Sequence, residues 1–160
     1  MFKIGDYITH PMHGAGVIES IVTKKINGSQ RDYYVLKLPV GDMVVMVPVS
    51  GCEDIGVRSI ISRSEAEKLF SAFFEIEISM TQNWNKRYRE NMDKIKSGNL
   101  LDVASVVKGL MCRDSERGLS TSERKMLHSA KQILISELVI ATDMDYDGVE
   151  KRLCAALKEG

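Results

Sequence analysis

Ser64-Glu65-Ala66-Glu67 divides this chain into two parts of different character. A hydroxyl followed three positions later by a carboxylate is a capping box, in which each side chain satisfies a backbone N–H left free at a helix start. Beyond it Leu69, Phe70, Phe73, Phe74 and Ile76-Glu77-Ile78 supply a face predicted to be buried against other helices. Before it the pattern is extended: short β-branched runs punctuated by turn residues.

Working back from that boundary, Val57-Arg58-Ser59-Ile60-Ile61 predicts a last strand. Met43-Val44-Val45-Met46-Val47 predicts another. It is ended by Pro48, which lacks an N–H and so belongs on a sheet edge. Gly41-Asp42 supplies the turn before it. Residues 17–26 and 33–38 read as two further strands, and Asn27-Gly28 opens the loop between them because both residues tolerate positive φ. Tyr7-Ile8-Thr9 is followed by Pro11, Gly14 and Gly16, read as turn punctuation. Four or five strands in about 60 residues predict a small, strongly bent barrel.

Working forward, a second helix is predicted over 83–96, stopped by Ser97-Gly98. Asn99 caps a third, with Val103, Val106, Val107, Leu110 and Met111 inward and Gly118 as its stop. Ser120-Thr121-Ser122-Glu123 is a second capping box, opening a long helix through Leu127, Ala130, Leu134 and Leu138. Asp147-Gly148-Val149-Glu150 caps a last helix carrying Leu153 and Leu157. The expected architecture is α+β: a Tudor- or SH3-like barrel over 1–62, then an all-α domain of about five helices over 63–160.

Composition bounds the function. The 160 residues carry 22 basic and 22 acidic side chains, with 44% hydrophobic residues, as in a soluble globular chain. No apolar run approaches a membrane span, no secretory leader opens the chain, and Cys52, Cys112 and Cys154 are odd in number and far apart. The expectation is a cytoplasmic protein with free thiols. Charge is uneven: residues 80–131 hold 11 basic and 6 acidic side chains, and both flanks are net acidic. A basic centre in a neutral chain points to a local anionic partner.

Most chemical motifs are weak. Asp143-Met144-Asp145-Tyr146-Asp147-Gly148 imitates a calcium loop, but the twelfth position, which needs a bidentate carboxylate, is Cys154. His10-Pro11-Met12-His13 offers two imidazoles and no companion ligand nearby in sequence. Gly14-Ala15-Gly16 precedes strand-like residues, not the helix start a phosphate cradle requires. Nothing around the thiols predicts a lowered pKa. Neither a catalytic centre, a metal nor a cofactor is expected.

Trp84-Asn85-Lys86-Arg87-Tyr88-Arg89 stands apart, with the only Trp, a second aromatic and three cations in six residues. Aromatic rings wedge between bases while Lys and Arg neutralise phosphates. The competing reading is equally physical: Trp84, Tyr88, Met92 and Ile95 share helical spacing, which would make Trp84 core.

That block extends a wider pattern. Gly5-Asp6, His13-Gly14-Ala15-Gly16, Gly56-Val57-Arg58, Trp84 through Asn91, Lys94-Ile95-Lys96-Ser97-Gly98, Gly118-Leu119-Ser120 and Glu123-Arg124-Lys125-Met126-Leu127 together resemble the CarD/CdnL bacterial transcription regulators. The resemblance implies a Tudor-like barrel, shared with transcription-repair coupling factors, that binds the β subunit of bacterial RNA polymerase. It implies a helical domain whose Trp84 wedges into the minor groove of promoter DNA at the upstream edge of the bubble, stabilising the open complex. Lys86, Arg87 and Arg89 would lie near the DNA backbone. Lys24, Met46 and Pro48 match polymerase-contacting positions, although some relatives carry a basic residue where Met46 stands. Binding to DNA alone should be weak and largely sequence-independent, and the protein monomeric. The alternative is a Tudor-like protein–protein adaptor without DNA contact, with Trp84 as core.

Overall fold

A computed structural model describes residues 1–39, 43–78 and 82–158. The turn expected at Gly41-Asp42 lies outside them. Strands β1 (Tyr7–His10), β2 (Gly14–Ile26), β3 (Ser29–Lys37), β4 (Val44–Pro48) and β5 (Arg58–Ser59) form one antiparallel sheet in the order β4-β3-β2-β1-β5. Asn27 and Gly28 form the two-residue loop between β2 and β3, with φ of 52° and 80°. This is the double positive φ that matches a hairpin to the twist of its strands. Ile8, Ile18, Tyr34, Leu36, Leu38, Val47, Cys52 and Val57 form the core of this part.

Gly14 and Gly16 correct the sequence reading: they lie inside β2, not in the turn before it. A Cβ on Gly16 would collide with the Lys37 carbonyl, and one on Gly14 would stand 2.5 Å from Ser136 Oγ. The glycines serve close backbone approach, a demand set by residues far away in sequence.

Five helices follow: α1 (Arg63–Glu75), α2 (Trp84–Lys96), α3 (Leu100–Arg117), α4 (Thr121–Thr142) and α5 (Tyr146–Lys158). The architecture is the expected sheet followed by five helices. Their shared core runs from Ala66, Phe70 and Phe73 through Val106, Val107 and Leu110 to Leu134, Leu138, Val149 and Leu153.

Local corrections have local causes. The cap of α1 is Ser62, not Ser64; Ser62 and Glu65 make the reciprocal box, while Glu67 is drawn to Arg152 on α5. Phe74 and Ile78, expected inward, are exposed: Phe74 lies in α1 outside its buried stripe of Ala66, Leu69, Phe70 and Phe73, and Ile78 lies beyond the helix end at Glu75. The start of α5 is set by Asp145, whose carboxylate accepts from Gly148 N at 2.7 Å, so the helix begins ahead of the predicted cap. Lys108 of α3 is buried and its ammonium donates to the carbonyls of Phe73, Phe74 and Ile76 at 2.7–2.9 Å. It closes the C-terminal end of α1, where the carbonyls of a helix lack partners. Among the described residues no helix is long and apolar enough to cross a membrane.

Candidate nucleic-acid and protein interfaces

Trp84 is the first residue of α2, directly after its cap, Asn83, whose side chain accepts from Lys86 N at 3.0 Å. The indole stacks on Tyr88 one turn on, with ring centroids 5.2 Å apart and planes 21° from parallel. Its Nε1 donates to Ser120 Oγ, the cap of α4, at 3.3 Å. Yet Trp84 keeps 41% of its surface exposed. It is therefore not core: one face is fixed by a ring and a hydroxyl, while part of the residue remains open to solvent. An aromatic plate held this way loses little freedom when a partner covers it.

The three cations separate. Lys86 and Arg89 are exposed. Arg87, expected near a DNA backbone, is 2% exposed. Its Nε donates to Glu123 Oε2 at 3.0 Å and its Nη1 to the Gln82 carbonyl at 3.1 Å. At 100° per residue Arg87, Asn91 and Ile95 form the inward stripe of α2, and Lys86 and Arg89 fall on the opposite side. Burial raises the Glu123 pKa, but hydrogen bonds and charge from Arg87, helped by Ser120 and Arg113, outweigh it and hold the carboxyl below the usual range. The box expected at Ser120 is thus half formed: Ser120 Oγ accepts from Glu123 N at 3.2 Å, while the carboxylate turns to Arg87.

The sheet brings the other predicted residues together. Antiparallel partners share a face, and Tyr34, Leu36 and Val47 point inward. The opposite face carries Val22 beside Tyr33 beside Pro48, Lys24 beside Arg31, and Val35 beside Met46. Lys24, Met46 and Pro48 therefore lie on one outer surface, with Tyr33, Val35 and Arg31 as members the sequence reading missed. Register would have found them, since each pairs with a residue already singled out.

Strand β4 is an edge, as Pro48 predicted. Leu38 N donates to Met43 O and Val49 N to Asp32 O. Hydrogen-bonded pairs alternate along an antiparallel ladder. Val45 and Val47 thus face β3 with their backbone groups, and Val44, Met46 and Pro48 turn theirs to the open edge. The donor that Pro48 lacks is one the sheet never uses.

The remaining motifs settle into structure. His10 and His13 stack at 4.6 Å, and His10 Nδ1 accepts from Met12 N. Among the described residues no three potential metal ligands cluster. Asp143 ends α4 in the left-handed region, φ 59°. Burial pushes the Cys52 and Cys112 thiols up, away from thiolate.

Residues 2–61 match the model of the CarD-like/TRCF RID domain, and residues 68–154 that of the CarD C-terminal domain. The chain belongs to the CarD-like transcription factor family. It is 39% identical over 140 residues to "Putative transcription factor YdeB" of Bacillus subtilis (strain 168), covering 88% of this chain and 92% of that one. A role in transcription regulation follows from that membership. Within the family frame Ser120, Glu123 and Tyr88 are the residues that hold Trp84 and Arg87 in place. Ser120 and Glu123 stood in the sequence as a capping box, and only the fold turns them towards α2.

Proposed function

We propose that this chain binds the β subunit of bacterial RNA polymerase through the outer face and open edge of β4, and stabilises the promoter open complex with Trp84. The half-exposed, pre-stacked indole carries the reading. A core Trp would have no free face, and an unheld one would have to be ordered on contact.

The roles divide by exposure. Trp84 is the wedge entering the minor groove, where an apolar ring partly unstacks a base step. Lys86 and Arg89 neutralise phosphates, and the exposed Arg117 and Arg124 stand three residues before and four after Ser120 in the chain. Arg87 positions the helix start and touches no DNA. Lys24, Met46 and Pro48 hold the polymerase, with the main chain of Val44 and Met46 free to extend a partner strand.

The energetics fit a tethered ligand. With no net charge the chain has little long-range attraction for DNA, so free binding is weak and salt-sensitive. Attachment to polymerase raises the effective concentration at the promoter without new DNA contacts. Stabilising the melted state needs only tighter binding to it than to the closed one. An adaptor role would use the same β4 surface but gives Trp84 no task.

The test is binding to the isolated β-subunit lobe, with Met46→Glu as control. Saturable binding lost in the variant is expected; a folded protein with no binding would overturn the proposal.

A further inference from the structure

The two parts of the molecule meet at consecutive residues of α4, Ser136 and Glu137. Ser136 Oγ accepts the Ala15 N–H at 2.9 Å and donates to the Ile133 carbonyl at 2.9 Å. Gly14 beside it has no room for a Cβ. Glu137 is 0% exposed, and both of its oxygens are engaged by the sheet part. Oε2 accepts from Arg58 Nη1 at 2.7 Å and from Ile61 N at 2.8 Å, and Oε1 accepts from Arg58 Nη2 at 3.0 Å. Arg58, on β5, also reaches the Gly98 carbonyl with Nε at 3.4 Å. Around these groups Thr9, Pro11, Ile95, Leu100, Val103 and Ile133 leave a void of only about 10 Å³.

Gly98 closes the C-terminal end of α2, and Trp84 opens its N-terminal end. We propose that Arg58, Ser136 and Glu137 are positioning residues that join the sheet and α2 into one rigid body, so that a polymerase held at β4 presents Trp84 at a fixed place on the DNA. This rests on the functional reading above and deepens it.

Geometry says why rigidity matters. Thirteen residues at a 1.5 Å rise make α2 roughly 20 Å long, so a rotation of about 10° at its Gly98 end moves Trp84 by roughly 3 Å. Successive bases lie ~3.4 Å apart, so that error displaces the wedge by about one base step. An ion pair with a half-buried Arg58 over a buried Glu137 adds little net stability over an apolar contact of the same volume, but its bidentate geometry accepts one orientation. Greasy side chains could hold the two parts together. They would not fix the angle.

The experiment uses the full chain with spin labels at exposed Gln30 on β3 and Asp93 on α2. Wild type should give a narrow distance distribution. Glu137→Gln should broaden it, leave affinity for the polymerase β lobe within about twofold, and cut the prolongation of open complexes by about tenfold, since avidity is lost when geometry forbids simultaneous contacts. Ser136→Ala, which removes one hydroxyl, should broaden it less and carries the test should Glu137→Gln not fold. An unbroadened distribution, or broadening with full prolongation, overturns the proposal. A wild type that fails to bind the lobe sinks the functional reading instead, and the distances then decide the coupling by themselves.

Discussion

Arg87 and Glu123 form a buried ion pair, Nε to Oε2 at 3.0 Å, that ties the first turn of α2 to the first turn of α4. It stands directly behind Trp84, whose indole is bonded to the cap of the same α4. The charged block of the sequence is thus divided between a support and a surface.

Removing one partner of such a pair leaves the other charged and dry. Arg87→Ala should destabilise the protein by about 3–5 kcal/mol in urea or guanidinium unfolding. Lys86→Ala, on the exposed side of the same helix, should change stability by less than about 0.5 kcal/mol. Equal effects would show that the two cations are equivalent after all.

The same pair makes stability pH-dependent. Glu123 has its folded pKa held below the ordinary value, so its contribution is present above the unfolded glutamate pKa and disappears as pH falls through the folded one. Melting temperatures from neutrality into acid should show wild type and Glu123→Gln converging as the pH drops below the usual glutamate range. A gap that stays constant would contradict the assigned pairing.

Lys108 gives a third prediction. Its ammonium satisfies three carbonyls at the end of α1, and Lys108→Met keeps the stem while deleting all three bonds. Buried unsatisfied acceptors cost about 1–3 kcal/mol each, tempered by water entry, so a loss of about 2–4 kcal/mol is expected in denaturant unfolding. Fraying should concentrate at Phe73–Ile76, read as faster amide exchange there.

Backbone alternation in β4 gives a fourth. Val45→Pro removes a donor the ladder uses, whereas Met46→Pro removes one facing outward. The first should lower stability by about 3 kcal/mol and the second by clearly less, since proline costs most where an N–H is bonded. Met46→Pro should nonetheless lose polymerase-lobe binding if a partner strand pairs with that edge.

Much of this was readable in the sequence because it is local. Asn27-Gly28 dictates its own turn, Pro48 its edge, and Asn99 the start of its helix, each within three or four residues. What stayed hidden depends on distant partners. Arg87 looks like any surface cation until Glu123, 36 positions away, is folded against it. Gly14 and Gly16 look like turn residues until Ser136, 121 positions from Ala15, presses on the first and the Lys37 backbone on the second. Spacing alone gave Trp84 two equal readings because a residue at the end of an inward stripe, overhanging the first turn, is neither core nor surface. Lys24 and Met46 acquire a common face only through a ladder register that the unpaired strands do not state.

The most direct measurement is the lifetime of open complexes formed by bacterial RNA polymerase on a promoter, with wild type or Trp84→Ala at matched polymerase occupancy. The wild type should prolong the complex, and Trp84→Ala should bind polymerase equally well, lose less than the ~3–5 kcal/mol a core Trp would cost, and give no prolongation. A stable Trp84→Ala variant that prolongs the open complex as well as wild type would contradict the wedge.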